Sequence, residues 1–153
     1  MSVSLDANIL VYADNVGDPS HLIARSVIDR LSAGPDLLYL FWPTILGYIR
    51  IVTNPRILRV PVPPGEAVGN IEALLALPHV VTPGERDGFW RSYLAAGGTS
   101  ARGNLVPDTH LAALLRENGV RILYTRDRGF RRFDFLEVRD PFSHQINERP
   151  PKL

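Results

Sequence analysis

The chain contains no cysteine and one lysine, Lys152, close to its end. The first absence excludes disulfides, thiolate metal sites and cysteine nucleophiles. It also fits a reducing, cytoplasmic setting. The second weighs against a phosphoryl-receiving domain, which needs a lysine late in the chain beside its acidic pocket. Long apolar runs are missing too. None approaches the ~20 residues that span a bilayer, so no membrane attachment is expected. A secretory leader needs an unbroken apolar stretch, and Asp6 interrupts the N-terminal one. Charge of one sign is nearly balanced, at a formal net +1, so no global electrostatic sign of a nucleic-acid partner exists. Nearly all the positive charge is arginine, which grips phosphate through two parallel hydrogen bonds where lysine offers a point charge. Clustering along the chain must therefore carry any claim about phosphate.

What is present suits one folded unit. A chain of 153 residues with 45% hydrophobic content can bury a single sizeable core. Residues 1–142 read as one domain and residues 143–153, with Pro150-Pro151, as a loose polar tail. Residues 3–5 are a short apolar run ending at Asp6, and residues 8–12 continue as a helical turn. Leu22, Ile23, Val27, Ile28 and Leu31 follow helical spacing until Gly34-Pro35 stops them. Residues 37–41 are continuously apolar, the mark of a strand buried on both faces. Residues 44–53 read as a helix that must end near Asn54, because the residue before Pro55 avoids helical geometry.

Residues 60–65, rich in proline, read as irregular, with a helix over 66–77 and a short strand at 79–81. The spacing then predicts a helix over 85–96, a flexible loop over 97–103 and a helix over 107–118 that Gly119 ends. Residues 122–124 and 136–138 complete the strands. Strands alternate with helices long enough to cross between parallel neighbours, which predicts a three-layer α/β/α domain with a central parallel sheet.

In such sheets, function gathers beyond the carboxyl ends of the strands. Asp6 directly follows the first strand. Asp127 follows the strand at 122–124 after only Thr125 and Arg126, and Asp108 sits in the first turn of the helix leading into that strand. If the first and fourth strands are neighbours, the three carboxylates meet. Each has an ordinary alternative: a helix cap for Asp6, a helix N-terminal charge for Asp108, a turn former for Asp127. Clustered carboxylates repel one another unless a cation stands between them. An all-aspartate site suits a hard ion such as Mg²⁺ or Mn²⁺, and such an ion can drive hydrolysis of a phosphodiester.

The motifs narrow this further. Leu5-Asp6-Ala7-Asn8-Ile9-Leu10 resembles the opening motif of the PIN-domain nucleases. The stretch from Gly103 through Pro107-Asp108-Thr109 resembles their third acidic motif, and Thr125-Arg126-Asp127-Arg128-Gly129-Phe130 the fourth. Trp42-Pro43 and Ile51-Val52-Thr53-Asn54-Pro55-Arg56 resemble the VapC toxin branch. The likeness runs in order from Val3 to about Phe142. It implies a PIN-like fold and a Mg²⁺-dependent endoribonuclease, the toxic component of a type II toxin–antitoxin pair. It also implies a small antitoxin protein as partner, RNA as substrate and a homodimer. By residue, Asp6, Asp108 and Asp127 would bind metal and carry catalysis, and Asn8 and Thr125 would support them, with Asn104 ordering the loop before Asp108. One departure stands out. Many relatives carry a glutamate in the middle of the third helix, where this chain has Gly47.

Arg126, Arg128, Arg131 and Arg132 crowd around Asp127 and are candidate RNA contacts, although such a run is by default a solvated surface. Arg50, Arg56 and Arg59 offer a second basic edge. Ile45, Tyr48, Ile49 and Val52 are either core or a groove for the partner. The four histidines show no metal-ligand spacing. A catalytically silent RNA-binding or scaffold domain remains the competing reading, with Gly47 as its best argument.

Overall fold

The computed structural model describes residues 1–143. The expected tail, apart from Ser143, lies outside the described residues. The chain forms β1 (Ser2–Leu5), α1 (Ala7–Asp14), α2 (His21–Ala33), β2 (Leu37–Tyr39), α3 (Trp42–Val52) and α4 (Pro64–Leu75). It continues with β3 (Val80–Val81), α5 (Phe89–Ala95), α6 (Leu105–Glu117), β4 (Ile122–Tyr124), a 3-10 turn at Arg128–Arg132 and β5 (Glu137–Arg139). The five strands make one parallel sheet in the order β3-β2-β1-β4-β5.

The sheet is buried on both faces, as its apolar strands require. Val3, Leu5, Leu38, Ile122 and Tyr124 pack into a core shared with α1, α2, α3 and α4. On the other face Leu123 joins Leu111, Leu114 and Leu115 of α6, Phe130 of the 3-10 turn and Phe133 just after it. This is the expected three-layer α/β/α arrangement. Ser4, fully buried in β1, satisfies its hydroxyl by donating to the Tyr39 carbonyl at 2.7 Å. Gly34 and Gly119 end α2 and α6 with φ of 78° and 67°, a backbone that glycine adopts without strain.

Three local expectations need correction. Pro64 and Gly65 open α4 instead of belonging to an irregular stretch, since proline's fixed φ suits the first helical turn. The helix expected over residues 85–96 is only Phe89–Ala95. The segment before it is tied to α6 by side chains instead: Glu85 meets His110 at 2.6 Å, and Arg86 donates to Asn118 at 2.8 Å. Helix α6 starts at Leu105, two residues before Pro107, although Asp108 keeps its place in the first turn. Lastly, of the core and groove readings left open for the third helix, the structure takes the core: Ile45, Tyr48 and Val52 are at 2% exposure or less, with Ile49 packed against them. The exposed residues of that helix are Trp42, Leu46 and Arg50.

Candidate active site

Strand order reverses direction between β1 and β4: from β1 the chain builds toward β2 and β3 on one side, then β4 and β5 on the other. Crevices at such a reversal, beyond the carboxyl ends of the strands, are where parallel sheets bind ligands. Asp6 leaves β1 there and Thr125 leaves β4. The backbone N–H of Asp6 donates to the Tyr124 carbonyl at 2.9 Å, extending the β1–β4 ladder by one bond. The two loops are thereby held side by side.

Asp6 is the N-cap of α1. One carboxylate oxygen accepts the Ala7 N–H at 2.7 Å. The other accepts the Thr125 hydroxyl at 3.0 Å and the Asn8 amide at 3.4 Å. Thr125 is fully buried, and its oxygen also accepts from Asn8 at 3.1 Å and from the Asp127 N–H at 3.0 Å. The side-chain amide oxygen of Asn8 accepts the Arg126 backbone N–H at 3.4 Å. The polar groups around Asp6 thus form one connected network, which fixes the side chains more firmly than isolated bonds would.

Asp6 and Asp108 line a single cleft of about 470 Å³, together with Asn8, Gly47 and Arg50. Asp127 is not in its lining; it is exposed at the edge, where its carboxylate accepts the Gly129 N–H at 2.8 Å. Its charge is nonetheless felt at both other aspartates. Burial pushes the Asp6 carboxyl up from the ordinary aspartate value; the Thr125 and Ala7 hydrogen bonds oppose this, and the charges of Asp108 and Asp127 add to it. The Asp108 carboxyl is raised by burial first and by Asp127 second, against the pull of Arg132, whose guanidinium lies 3.8 Å away.

This arrangement fits a hard cation. The donors are all oxygen, two carboxylates share one cleft, and their mutual repulsion is relieved by positive charge between them. Among the described residues no three acidic or imidazole side chains stand close enough to enclose an ion. An ion held by Asp6 and Asp108 would therefore complete its shell with water, as Mg²⁺ commonly does.

The other candidates separate. Asn104 occupies the N-cap of α6 with no side-chain capping bond, and no hydrogen bond to Asp108 is present. Arg126 points inward. Its guanidinium donates to the buried Ser20 hydroxyl at 2.9 Å and lies 5.3 and 5.1 Å from the ring centres of Tyr12 and Phe142. That placement removes it from the candidate RNA contacts. Arg128 and Arg131 are exposed on the 3-10 turn, and Arg132 stands beside Asp108 while covering the Phe133 ring. The Tyr12–Ser20–Arg126–Phe142 clamp escaped the sequence reading, because nothing in the spacing of these residues signals that they meet.

No family model matches the chain. Ribonuclease VapC48 of Mycobacterium tuberculosis is 46% identical over 144 residues, covering 94% of this chain and 99% of that protein. Among solved structures, Mycobacterium tuberculosis VapC20, described as a sarcin-ricin loop cleaving toxin, aligns with a TM-score of 0.64 at 18% identity over 91% of this chain and all of that one. VapBC2 of Rickettsia felis, bound to a DNA fragment from its promoter, aligns with a TM-score of 0.61 at 16% identity over 91% and 98%. Near-complete overlap at 46% identity, on a shared fold with the acidic residues at the expected sheet edge, decides the assignment: the chain belongs to the VapC ribonuclease family.

Proposed function

We propose that this protein is a metal-dependent endoribonuclease, the toxic component of a type II toxin–antitoxin pair, acting in the cytoplasm. The observation that carries this reading is the cleft that Asp6 and Asp108 share, in which Asp6 feels the charge of Asp108 and has no cationic partner among the described residues. A bound Mg²⁺ or Mn²⁺ would polarise a phosphoryl oxygen and lower the pKa of a bound water. The chain's own residues do the rest. Asp6, locked by Ala7, Asn8 and Thr125, and Asp108, on the first turn of α6, would hold the ion. Asp127 adds negative charge at the rim and, through its N–H, keeps Thr125 aimed at Asp6. Arg132 is placed to shift from Asp108 to a phosphate once an ion neutralises that carboxylate.

Partners follow from the family. The VapBC2 neighbour supports a small antitoxin as this chain's inhibitor, and a homodimer is proposed from the family resemblance alone. No helix of the described residues is long and apolar enough to cross a membrane. One observation favours a second reading, an RNA-binding domain without catalysis: Gly47 lines the cleft and offers it no carboxylate. Purified protein freed of any inhibitor should cut RNA in Mg²⁺ or Mn²⁺ and stop on addition of EDTA. Binding of RNA without cleavage under any divalent ion would favour the silent domain.

A further inference from the structure

Two side chains beside Asp6 have their hydrogen bonds directed by their neighbours. Thr125 accepts from Asn8 and from the Asp127 N–H, so its own proton is turned to the Asp6 carboxylate. Asn8 donates through its nitrogen to Asp6 and to Thr125, at 3.4 and 3.1 Å. An amide fits the same space in two orientations, and the reversed one would set its oxygen against the carboxylate. The Arg126 backbone N–H selects between them, because it donates to the amide oxygen at 3.4 Å. How Asp6 is held thus depends on where the backbone of Arg126 stands.

The side chain of Arg126 fixes that backbone. It is half-buried, yet no carboxylate of the described residues lies within ion-pair distance. The guanidinium rests instead 5.3 Å from the ring centre of Tyr12 and 5.1 Å from that of Phe142, and donates to the Ser20 hydroxyl at 2.9 Å. The two rings also meet each other edge to face at 5.3 Å. Three parts of the chain build this seat. Tyr12 lies four residues beyond Asn8 in α1, on the same helix face. Ser20, almost fully buried, precedes α2. Phe142, buried as well, follows β5, where Asp140 accepts its N–H at 2.8 Å. An apolar side chain would fill such a seat without the cost of desolvating a charge. A planar guanidinium adds direction, since it donates along set lines and lies against ring faces.

We infer that Arg126 is a positioning residue for the metal centre: its seat between Tyr12 and Phe142 sets the loop after β4, its N–H then orients the Asn8 amide, and Asn8 with Thr125 holds Asp6 toward the ion. The inference rests on the reading of Asp6 and Asp108 as a metal centre. Groups that orient the ligands of a metal are commonly worth about 10–100-fold in its affinity. Arg126 acts one bond further out, so its removal belongs at the lower end of that range. The segment after β5 thereby gains a part in the site, because Phe142 reaches Asp6 through Arg126.

The test measures Mn²⁺ binding by calorimetry on RNA-free protein and follows the Asn8 side-chain amide signals by NMR. Arg126→Met keeps the stem but loses the Ser20 bond and the cation over the rings. It should weaken Mn²⁺ binding about 10-fold and move the Asn8 amide signals. Arg126→Lys, which keeps a cation on the rings, should recover part of the loss and sit about 3-fold below the unmutated chain. Val27→Ala, a core truncation in α2, should lower the melting temperature and change neither reading. If Arg126→Met does not fold, Phe142→Leu, which keeps the core filled but removes one ring, should show the same changes at about 3-fold. In single-turnover cleavage the rate should fall with Mn²⁺ affinity while RNA affinity holds. A folded Arg126→Met protein with unchanged Mn²⁺ affinity would overturn the inference. So would a loss of RNA affinity at an unchanged rate, which would make Arg126 an RNA contact. If the unmutated chain binds no Mn²⁺ while the Asn8 signals still move in Arg126→Met, the metal reading fails and the positioning of Asn8 stands. If it binds Mn²⁺ and Arg126→Met changes neither reading, the positioning alone fails.

Discussion

At the scale of single residues, the site holds two carboxylates whose ionised forms are disfavoured first by burial and then by neighbouring negative charge, both of which a cation offsets. Asp6 and Asp108 both hold their protons more tightly in the folded chain than an ordinary aspartate does. Their contribution to stability is therefore fully present below the ordinary value of 3.8 and is lost as pH rises through the raised folded values. Above that window the metal-free protein carries an unfavourable charge pair. Asp108→Asn should raise the melting temperature of metal-free protein at pH 7 by about 2–4 °C, the equivalent of ~1 kcal/mol in a domain of this size. It should also lose most of the further rise that Mn²⁺ gives the unmutated chain. A melting temperature that falls, or a Mn²⁺ response that survives, would place the ion elsewhere. Arg126 makes the opposite case, an arginine beside the site whose work is internal. Removing its cation–π contacts and its bond to Ser20 by Arg126→Ala should cost about 2–3 kcal/mol in urea unfolding. With its guanidinium held by Ser20, Tyr12 and Phe142, the salt dependence of RNA binding should not change. A flatter salt slope would restore it to the RNA surface.

At the scale of elements, α3 carries Gly47, where the family resemblance leads one to expect a glutamate. Gly47 faces the cleft, and a side chain there finds only the Ala7 β-carbon, in ordinary contact. Gly47→Glu should fold, gain about 1 kcal/mol in helix propensity, and bind Mn²⁺ more tightly, since affinity rises with ligand charge. Calorimetry would measure this directly. Normal folding with unchanged metal affinity would show that the new carboxylate does not reach the ion. The elements themselves were legible to different degrees. The strand at residues 122–124, the end of α2 at Gly34 and the end of α6 at Gly119 followed from apolar runs and from glycine's backbone freedom. The start of α5 did not, because Glu85 and Arg86 are recruited by His110 and Asn118 across space rather than by their own neighbours. Nor did the 3-10 turn, which is held by Asp127 capping Gly129 and by Phe130 entering the core.

At the scale of the whole molecule, the order of the strands converts scattered residues into a site. Sequence placed Asp6 and Thr125 at the ends of two strands but left the adjacency of those strands conditional; the register of Val3 with Ile122 and of Leu5 with Tyr124 supplies it. Depth was harder to read than position. Tyr48 and Ile45 have the spacing of a helix face whether that face meets a partner or the core, and only packing decided for the core. Asp127 was grouped with the other two aspartates by its place just after the 122–124 strand and by motif; the fold sets it at the rim of their cleft. The central claim is that Asp6 and Asp108 together make the centre of a metal-dependent nuclease. Single-turnover cleavage of RNA in Mn²⁺ by Asp6→Asn and Asp108→Asn, each checked by circular dichroism for an intact fold, tests it most directly. Losing several kcal/mol of transition-state stabilisation predicts rates lower by on the order of 10³-fold in either variant. Cleavage at the unmutated rate by either correctly folded protein would contradict it.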